Sequence, residues 1–216
     1  MAGNDWIKTN WYCVRHALVP ESVHNGTFYG GQDVDCKPCD ELSSWNSKHL
    51  PNDDTVLITS ALKRTHQTAN AIETAGLKMP KRIEVADFNE QSFGDWEGQP
   101  FENVYKETDK TFWYAPAHNR ISGGESFADL FSRVSHQMHE LTHKHSGKNI
   151  ISVTHGGTIR AMLAFAMDMP LDNALNVTID NQSITLIEHF HKVKSNDKGK
   201  WRVRFINKLP FEGTGL

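Results

Sequence analysis

The sequence has few cysteines, no long apolar run and no surplus of positive charge. Its 216 residues include three cysteines, 23 lysines and arginines, and 26 aspartates and glutamates, which give a formal net charge of −3. An odd number of cysteines argues against a disulfide framework. The charge gives no reason to expect nucleic acid or an anionic membrane as a partner. No stretch reaches the roughly 18 unbroken apolar residues that a membrane-spanning helix needs.

The N-terminal segment also lacks the basic start and apolar stretch of a secretory signal, so we expect a cytoplasmic protein. Hydrophobic residues make up 38% of the chain and charged residues 23%, as in soluble globular proteins. The length suits one domain over residues 1–216. Residues 86–124 are rich in aromatic side chains without a clear period, and we expect them to form a lid or insertion.

Cysteine and histidine patterns suggest metal or redox sites only weakly. Cys36 and Cys39 form a C-x-x-C motif, but no second such motif or close histidine pair completes four zinc ligands. We therefore interpret them as ordinary loop thiols, and Cys13, inside an apolar run, as a core residue. Three histidines share one face of a predicted helix, opposite its apolar stripe, where we expect solvent exposure and no metal: His136, His139 and His143.

Short apolar runs alternate with helical segments along the chain. The runs predict buried strands at 11–14, 56–59, 83–85 and 150–154 and late strands at 183–189 and 201–206, which can pair as a hairpin across a polar turn at 194–200. Helices are predicted at 61–73 after an N-cap at Ser60, at 127–145 after an N-cap at Ser126, and at 158–165. Residues 18–40 are interpreted as a loop. This alternation predicts an α/β fold, in which helices flank a mostly parallel central sheet in three layers.

Two of the predicted strands end in histidines. The first ends at Arg15-His16 and the fourth at His155-Gly156. Ligands of open α/β sheets bind beyond the carboxyl ends of the strands, so the two histidines can share one site. A neutral imidazole is a good nucleophile towards phosphorus. Arg15 and Arg64 supply the fixed cations that a phosphate needs, and a helix starting near Gly156 adds backbone N–H groups.

Four segments match, in order, the motifs of a known family. Residues 14–16 (VRH) look like its RHG motif, and residues 59–69 (TSALKRTHQTA) resemble its S-P-L-x-R-x-x-x-T-A helix. Residues 88–98 (FNEQSFGDWEG) are similar to its acidic loop, and residues 153–160 (VTHGGTIR) to its second histidine segment. By these motifs the chain resembles the histidine phosphatase superfamily, also called phosphoglycerate mutase-like.

The resemblance implies a phosphoglycerate mutase-like fold and a role for each matched residue. His16 would accept the phosphoryl group, and Arg15 and Arg64 would clamp the phosphate. His155 would donate a further hydrogen bond, and Glu90 would protonate the leaving oxygen and then activate water. Because the arginines neutralise the charge, the resemblance implies no metal and no cofactor. A small phosphomonoester would be the substrate.

The match has departures. The family glycine after the nucleophile is Ala17, and the proline after the serine is Ala61. An asparagine expected six residues after the nucleophile is Ser22. The loop at 25–34 instead resembles the G-T-x-Y-G-x-x-D-V segment of the alpha-ribazole phosphatase branch, in which Asn25 and Thr27 would contact substrate. Ser60 and Gly156 would shape the pocket, with Gly156 among the substrate-binding residues.

Several alternatives stay open at this point. Asp95 and Glu97 are rivals to Glu90 as the acid. A phosphoglycerate mutase is the second candidate function, although its extra arginines are missing: residues 99–122 contain only Arg120. A catalytically inactive module that binds phosphorylated ligands is the third. If His16 attacks as a neutral ring and Glu90 acts as an acid, the rate should depend on pH in a bell shape with a mildly acidic to neutral optimum.

Overall fold

A six-stranded sheet forms the centre of the computed structural model, which describes residues 6–78, 81–109, 115–192 and 199–210. The strands are β1 (Trp6–Arg15), β2 (Thr55–Thr59), β3 (Ile83–Glu84), β4 (Asn149–Thr154), β5 (Ile184–Lys192) and β6 (Lys200–Lys208). Their spatial order is β3-β2-β4-β1-β5-β6. The first four are parallel, whereas β5 runs antiparallel to both β1 and β6.

Helices cover both faces of this sheet. They are α1 (Glu21–His24), α2 (Asp40–His49), α3 (Lys63–Thr74), α4 (Phe101–Glu107), α5 (Phe127–Lys144), α6 (Gly156–Met167) and α7 (Leu171–Ala174). Single 3₁₀ turns lie at Ala86–Phe88 and Gly94–Trp96. The expected three-layer α/β fold with a mostly parallel sheet is confirmed.

Alternation along β1 separates two apolar cores. Trp11 and Cys13 point to the α5/α6 side, where the Trp11 indole donates to Thr142 Oγ1 at 2.9 Å and Cys13 Sγ lies 3.6 Å from Met162 Sδ. Val14 points to the other side and joins the cluster that includes Ile72 of α3. Side chains of a strand alternate between faces, so one short run of sequence anchors helices on both sides of the sheet.

The amphipathic helix α5 agrees closely with the sequence pattern. Ser126 caps it, with a capping box completed by Asp129, as the N-cap prediction requires. The predicted apolar stripe is buried throughout: Phe127, Leu130, Val134, Met138 and Leu141. In the part of the chain that the structure describes, no helix is both long and apolar enough to cross a membrane.

Three local predictions were wrong. The region predicted as loop contains α1, and α2 follows it; the buried side of α2 is polar, through Ser43, Asn46 and Ser47, so it carries no apolar stripe. Helix α3 begins two residues late, with Leu62 at its N-cap, and the Ser60 hydroxyl accepts from the Leu62 N–H at 3.1 Å ahead of the helix. Helix α6 begins at Gly156 rather than at residue 158.

The first strand is longer than predicted, and the last two strands pair as predicted. Strand β1 begins five residues before the predicted run, and β5 and β6 form the expected antiparallel pair. The predicted turn between them falls largely on residues 193–198, outside the described residues. Residues 86–109 and 115–124 hold the two 3₁₀ turns and α4; their role as a lid, and the single-domain assignment, stay predictions.

Candidate active site

The two histidines meet at one edge of the sheet. Strands β1 and β4 are parallel neighbours in which Arg15 pairs with Thr154. Both strands therefore end at the same level of the sheet. The His16 N–H donates to the Thr154 carbonyl at 2.8 Å. The ring centroids of His16 and His155 are 5.1 Å apart. The structure therefore brings together the two strand ends that the sequence places far apart.

A hydrogen bond fixes the tautomer of His16. Its Nδ1 atom lies 2.7 Å from the Ala17 carbonyl oxygen, which can only accept, so Nδ1 carries the hydrogen. The Nε2 atom then holds a free lone pair. The ring is only 1% exposed, and burial, with the charges of Arg64 and Arg15, holds the pKa of His16 well below its usual range. His16 is therefore a neutral imidazole at neutral pH, with its unprotonated nitrogen at Nε2.

The backbone around His16 is held on both sides. The Asn181 side-chain amide donates to the His16 carbonyl at 2.8 Å. The Ala17 N–H donates to Thr68 Oγ1 at the same distance, and Thr68 lies on α3. Thr68 is the threonine of the S-P-L-x-R-x-x-x-T-A motif, to which the sequence analysis gave no role. Asn181 did not stand out in the sequence, because a single amide is common on any surface.

Arg64 is completely buried and links His155 to the loop before α2. Its Nη1 and Nη2 atoms donate to the carbonyls of Gln32 and Gly30, each at 2.6 Å. Its Nε donates to His155 Nδ1 at 3.2 Å. These contacts use one hydrogen of each guanidinium nitrogen, and Nη1 and Nη2 each keep a second one. Arg64 is thus fixed in place with donor capacity left for an anion.

The partners of His155 define its tautomer as well. Since Nδ1 accepts from Arg64, the hydrogen sits on Nε2, which donates to Ser60 Oγ at 2.8 Å. Burial and the charges of Arg64 and His16 lower the pKa of His155 well below its usual range. A phosphate contact from His155 would have to share Nε2 with Ser60, so its expected role stays a prediction.

Arg15 contributes an unpaired buried donor. Its Nη1 donates to the Ile179 carbonyl at 2.5 Å. Among the described residues its buried Nε has no hydrogen-bond partner, and it lies 3.5 Å from where a Cβ on Gly156 would stand. An unsatisfied buried N–H costs roughly 1–3 kcal/mol. A bound anion at the start of α6 would remove that cost.

Glu90 sits over the first turn of α6. Its Oε2 accepts from the Gly157 N–H at 3.1 Å, and its Oε1 accepts from the Gln91 N–H at 3.1 Å. A Cβ on Gly157 would stand 2.3 Å from Oε1, whereas one on Gly156 would make ordinary contacts. The close contact at the start of α6 therefore falls at Gly157, whereas Gly156 was the residue expected to shape the pocket.

Arg133 of α5 clamps the backbone of the acidic loop. Its Nη atoms donate to the carbonyls of Asp87, Asn89 and Glu90 at 2.7–3.2 Å. Its Nε and Nη2 also bind both oxygens of Glu125, at 2.8 and 2.9 Å. An arginine on the polar side of an amphipathic helix looks like a solvated residue in the sequence, so this function was missed.

The departure at Ala61 adds a second support to the same loop. The Ala61 N–H donates to Asn89 Oδ1 at 2.9 Å. Proline, which the family pattern has at this position, lacks the N–H and could not make this bond. Asn89 directly precedes Glu90, so the alanine ties the start of α3 to the candidate acid.

The two rival carboxylates, Glu97 and Asp95, face neighbouring loop segments. Glu97 Oε1 accepts from the N–H groups of Gly31 and Phe93, both at 2.9 Å. Asp95 lies against Gly123 in the adjoining turn. Of the three candidates, Glu90 is the one whose carboxylate lies on the first turn of α6.

The proposed substrate-loop residues have local partners. Asn25 is exposed and adopts a left-handed conformation, φ 51°, at the end of α1. The Thr27 hydroxyl donates to the His24 carbonyl, and Thr27 also bridges to Pro100. Their contact with substrate stays a prediction.

The cysteines and the histidine face also have defined surroundings. Cys13 is buried, which raises the pKa of its thiol to about 12. Cys36 donates to the Arg64 carbonyl at 3.2 Å, and Cys39 is exposed and free. His136 and His143 are exposed, as expected. Among the residues that the structure describes, no three His, Cys, Asp or Glu side chains are placed to hold a metal ion.

The fold and this site define an α/β protein in which two neutral histidines and two arginines come together at one edge of the central sheet. A model of the histidine phosphatase superfamily (branch 1) matches residues 11–202. The chain belongs to this superfamily, and the family resemblance of its motifs is confirmed. Its homologues include phosphatases that are named for different substrates.

Three relatives illustrate the similarity. The metal-independent phosphoserine phosphatase of Arabidopsis thaliana is 34% identical over 108 residues, 48% of this chain and 45% of the relative. The adenosylcobalamin/alpha-ribazole phosphatase of Salmonella typhimurium is 25% identical over 162 residues, 72% of this chain and 78% of the relative. The solved structure of Bacillus stearothermophilus YhfR superposes with a TM-score of 0.78 at 23% identity, covering 93% of this chain and 98% of that one. That structural match supports the fold alone.

Proposed function

We propose that the protein is a metal-independent phosphomonoesterase that works through a phosphohistidine on His16. In the first step, Nε2 of His16 attacks phosphorus, the bond to the ester oxygen breaks, and Glu90 gives its proton to that oxygen. In the second, Glu90 takes a proton from water, the water oxygen bonds to phosphorus, and the N–P bond breaks. The hydrogen bond between His16 Nδ1 and the Ala17 carbonyl carries the proposal, because it leaves Nε2 unprotonated.

The charges of the site fit this reaction. Arg15 and Arg64 lie beside His16 closely enough to lower its pKa. Both keep guanidinium hydrogens for the phosphate oxygens, whose charge shifts during transfer. In the proposed enzyme these arginines take the place of a metal ion. The metal-independent phosphatase among the relatives supports this part of the proposal.

The mutase alternative is less well supported. A mutase must hold a second anionic group of its substrate, yet Arg120, the only arginine in residues 99–122, forms an exposed ion pair with Asp129. The inactive-module alternative would fit the loss of a core residue. Here His16, Arg15 and Arg64 are all in place, together with a candidate acid.

The test traps the intermediate. With a ³²P-labelled phosphomonoester and rapid alkaline quenching, we expect acid-labile, base-stable label on the wild-type protein and none on His16→Ala. Steady phosphate release should fall at least a thousandfold in that variant, as expected when a nucleophile is lost. Label that persists in His16→Ala, or mutase turnover far above phosphate release, would overturn the proposal.

We expect a cytoplasmic enzyme whose partner is a small phosphorylated metabolite, not a nucleic acid or a membrane.

A further inference from the structure

A small apolar cavity adjoins the candidate acid. It has a volume of about 190 Å³ and is floored by Glu90, Gly157 and Arg160. Aromatic and aliphatic side chains form its walls, among them Phe28, Phe93, Trp96, Phe127 and Leu175. We call this space the leaving-group cavity.

Its aromatic wall is held by ring contacts. The Phe28 centroid lies 5.2 Å from that of Phe93, with the rings at 68°, and 5.6 Å from that of Trp96. The first pair is edge-to-face and the second is tilted, and such contacts fix ring positions. The packed rings present an apolar surface before any ligand arrives, so little ordering cost remains for binding.

The cavity lies on the side where the leaving group must depart. The Gly157 N–H binds Glu90 within its floor. Arg160 Nη1 and Arg15 Nε lie 3.7 and 3.5 Å from the same point, the position of a Cβ on Gly156. The cavity is therefore next to the proposed phosphate clamp. If Glu90 protonates the ester oxygen, the carbon attached to that oxygen points past Glu90.

A second cavity on the other side of Glu90 is a poorer host. It measures about 480 Å³, and three carboxylates line it: those of Glu90, Glu97 and Glu125. Its arginine, Arg133, is already paired with Glu125. This excess of negative charge repels a phosphomonoester.

We propose that the leaving-group cavity selects phosphomonoesters in which a flat apolar ring lies one or two bonds from the ester oxygen. This rests on the proposed function. An apolar cavity of about 150 Å³ holds a benzene molecule, so 190 Å³ admits one ring of that size. The serine part of phosphoserine would instead place an ammonium and a carboxylate against aromatic walls, where both lose hydration and only Glu90 and Arg160 in the floor carry charge.

The first test compares matched substrates on the wild-type protein. Benzyl phosphate and ethyl phosphate are both primary alkyl esters, so the ring is their main difference. We expect kcat/KM for benzyl phosphate to be at least tenfold higher than for ethyl phosphate and for phosphoserine. Benzylphosphonate should likewise inhibit at least tenfold more tightly than ethylphosphonate, a readout that needs no variant.

A pair of variants locates the effect. Leu175→Asn puts an amide into the cavity wall and should reduce the benzyl-to-ethyl ratio to less than threefold. Leu171→Asn, on α7 four residues earlier and partly buried but not in that wall, should leave the ratio as in the wild type. Equal turnover of all three esters, or an unchanged ratio in Leu175→Asn, would contradict the cavity assignment alone. Failure to hydrolyse any of the esters would contradict the proposed function.

Discussion

A hydrogen bond of 3.1 Å joins the Gly157 N–H to Oε2 of Glu90. The same carboxylate fills the space in front of the Gly157 Cα, where a side chain would stand 2.3 Å from Oε1. The acidic loop and the second histidine segment are distant in sequence, and this contact holds them together. The absence of a side chain at 157 is what allows the candidate acid to reach the first turn of α6.

Gly157→Ala should therefore displace Glu90. We expect kcat to fall ten- to a hundredfold, because a misplaced acid loses most of its contribution to proton transfer. Thermal stability should change little, since alanine also favours the helix by about 0.5–1 kcal/mol. Steady-state kinetics and thermal unfolding measure the two effects.

A double-mutant cycle identifies the cause of that loss. If Gly157→Ala acts through Glu90, it should have almost no further effect in the Glu90→Gln background. Additive losses in the double variant would mean that the alanine disturbs another part of the site.

Replacing Arg133 by glutamine should loosen the acidic loop. It removes donors to three carbonyls and a two-point ion pair with Glu125, whose side chain is about a quarter exposed. We expect a loss of roughly 1–3 kcal/mol in the free energy of unfolding and a lower kcat. Urea denaturation measures the free energy of unfolding, and steady-state kinetics measure kcat.

Arg120→Gln is the matched control for Arg133. Its ion pair with Asp129 is exposed, with the Arg120 side chain 65% accessible. Such a pair contributes about 0–1 kcal/mol. Equal destabilisation by both variants would show that the clamp on the loop backbone has no special importance.

Asn89 offers a finer test of how the loop is positioned. Asn89→Asp keeps an acceptor for the Ala61 N–H, and Asn89→Ala removes it. We expect the alanine variant to lose about 1 kcal/mol of stability and several-fold in kcat, with the aspartate variant closer to the wild type in stability. Indistinguishable unfolding curves for the two variants would argue against a role for this bond.

The sequence predicted the parts of the fold that apolar periodicity encodes. Buried strands stand out as short apolar runs and the stripe on α5 repeats every third to fourth residue, and these elements lie close to where they were expected. Helix α2 was not predicted, because polar residues form its buried side: Ser43, Asn46 and Ser47. Its stability comes from tertiary contacts, such as the bond from the Asn46 amide to the Gln182 carbonyl, which no local pattern contains.

The site shows the same division. Strand ends and motif order predicted that His16, His155 and the two arginines belong to one site, because the ends of parallel strands lie at one edge of the sheet. Gly157 and Arg133 act through contacts with residues 87–90 of the acidic loop, which are 43 or more residues away in the sequence. Ser60 was predicted as the N-cap of α3, whereas the helix begins three residues after it; its hydroxyl contacts both the Leu62 N–H and His155, and the second contact is not encoded in any local pattern.

Burial of two neutral histidines should make the stability of the protein depend on pH. The folded-state pKa values of His16 and His155 lie well below the usual imidazole range, through burial and the charges of Arg64 and Arg15. The unfolded chain therefore binds more protons than the folded one at mildly acidic pH, so the free energy of unfolding rises with pH there. The stabilisation is complete above about pH 6.5 and is lost progressively as the pH falls from that value towards the lowered pKa values.

Each of these histidines can contribute a slope of up to about 1.4 kcal/mol per pH unit in that window. Urea unfolding at pH 7.5, 6.5, 5.5 and 5.0, in buffers without phosphate, measures the slope. His155→Gln keeps an amide beside Ser60 and Arg64 but does not titrate, so its curve should be shallower than that of the wild type by up to this amount. Other titrating groups are common to both proteins and cancel in the difference. Parallel curves for the two proteins would mean that His155 titrates in the folded state as it does in the unfolded one, which the buried geometry does not permit.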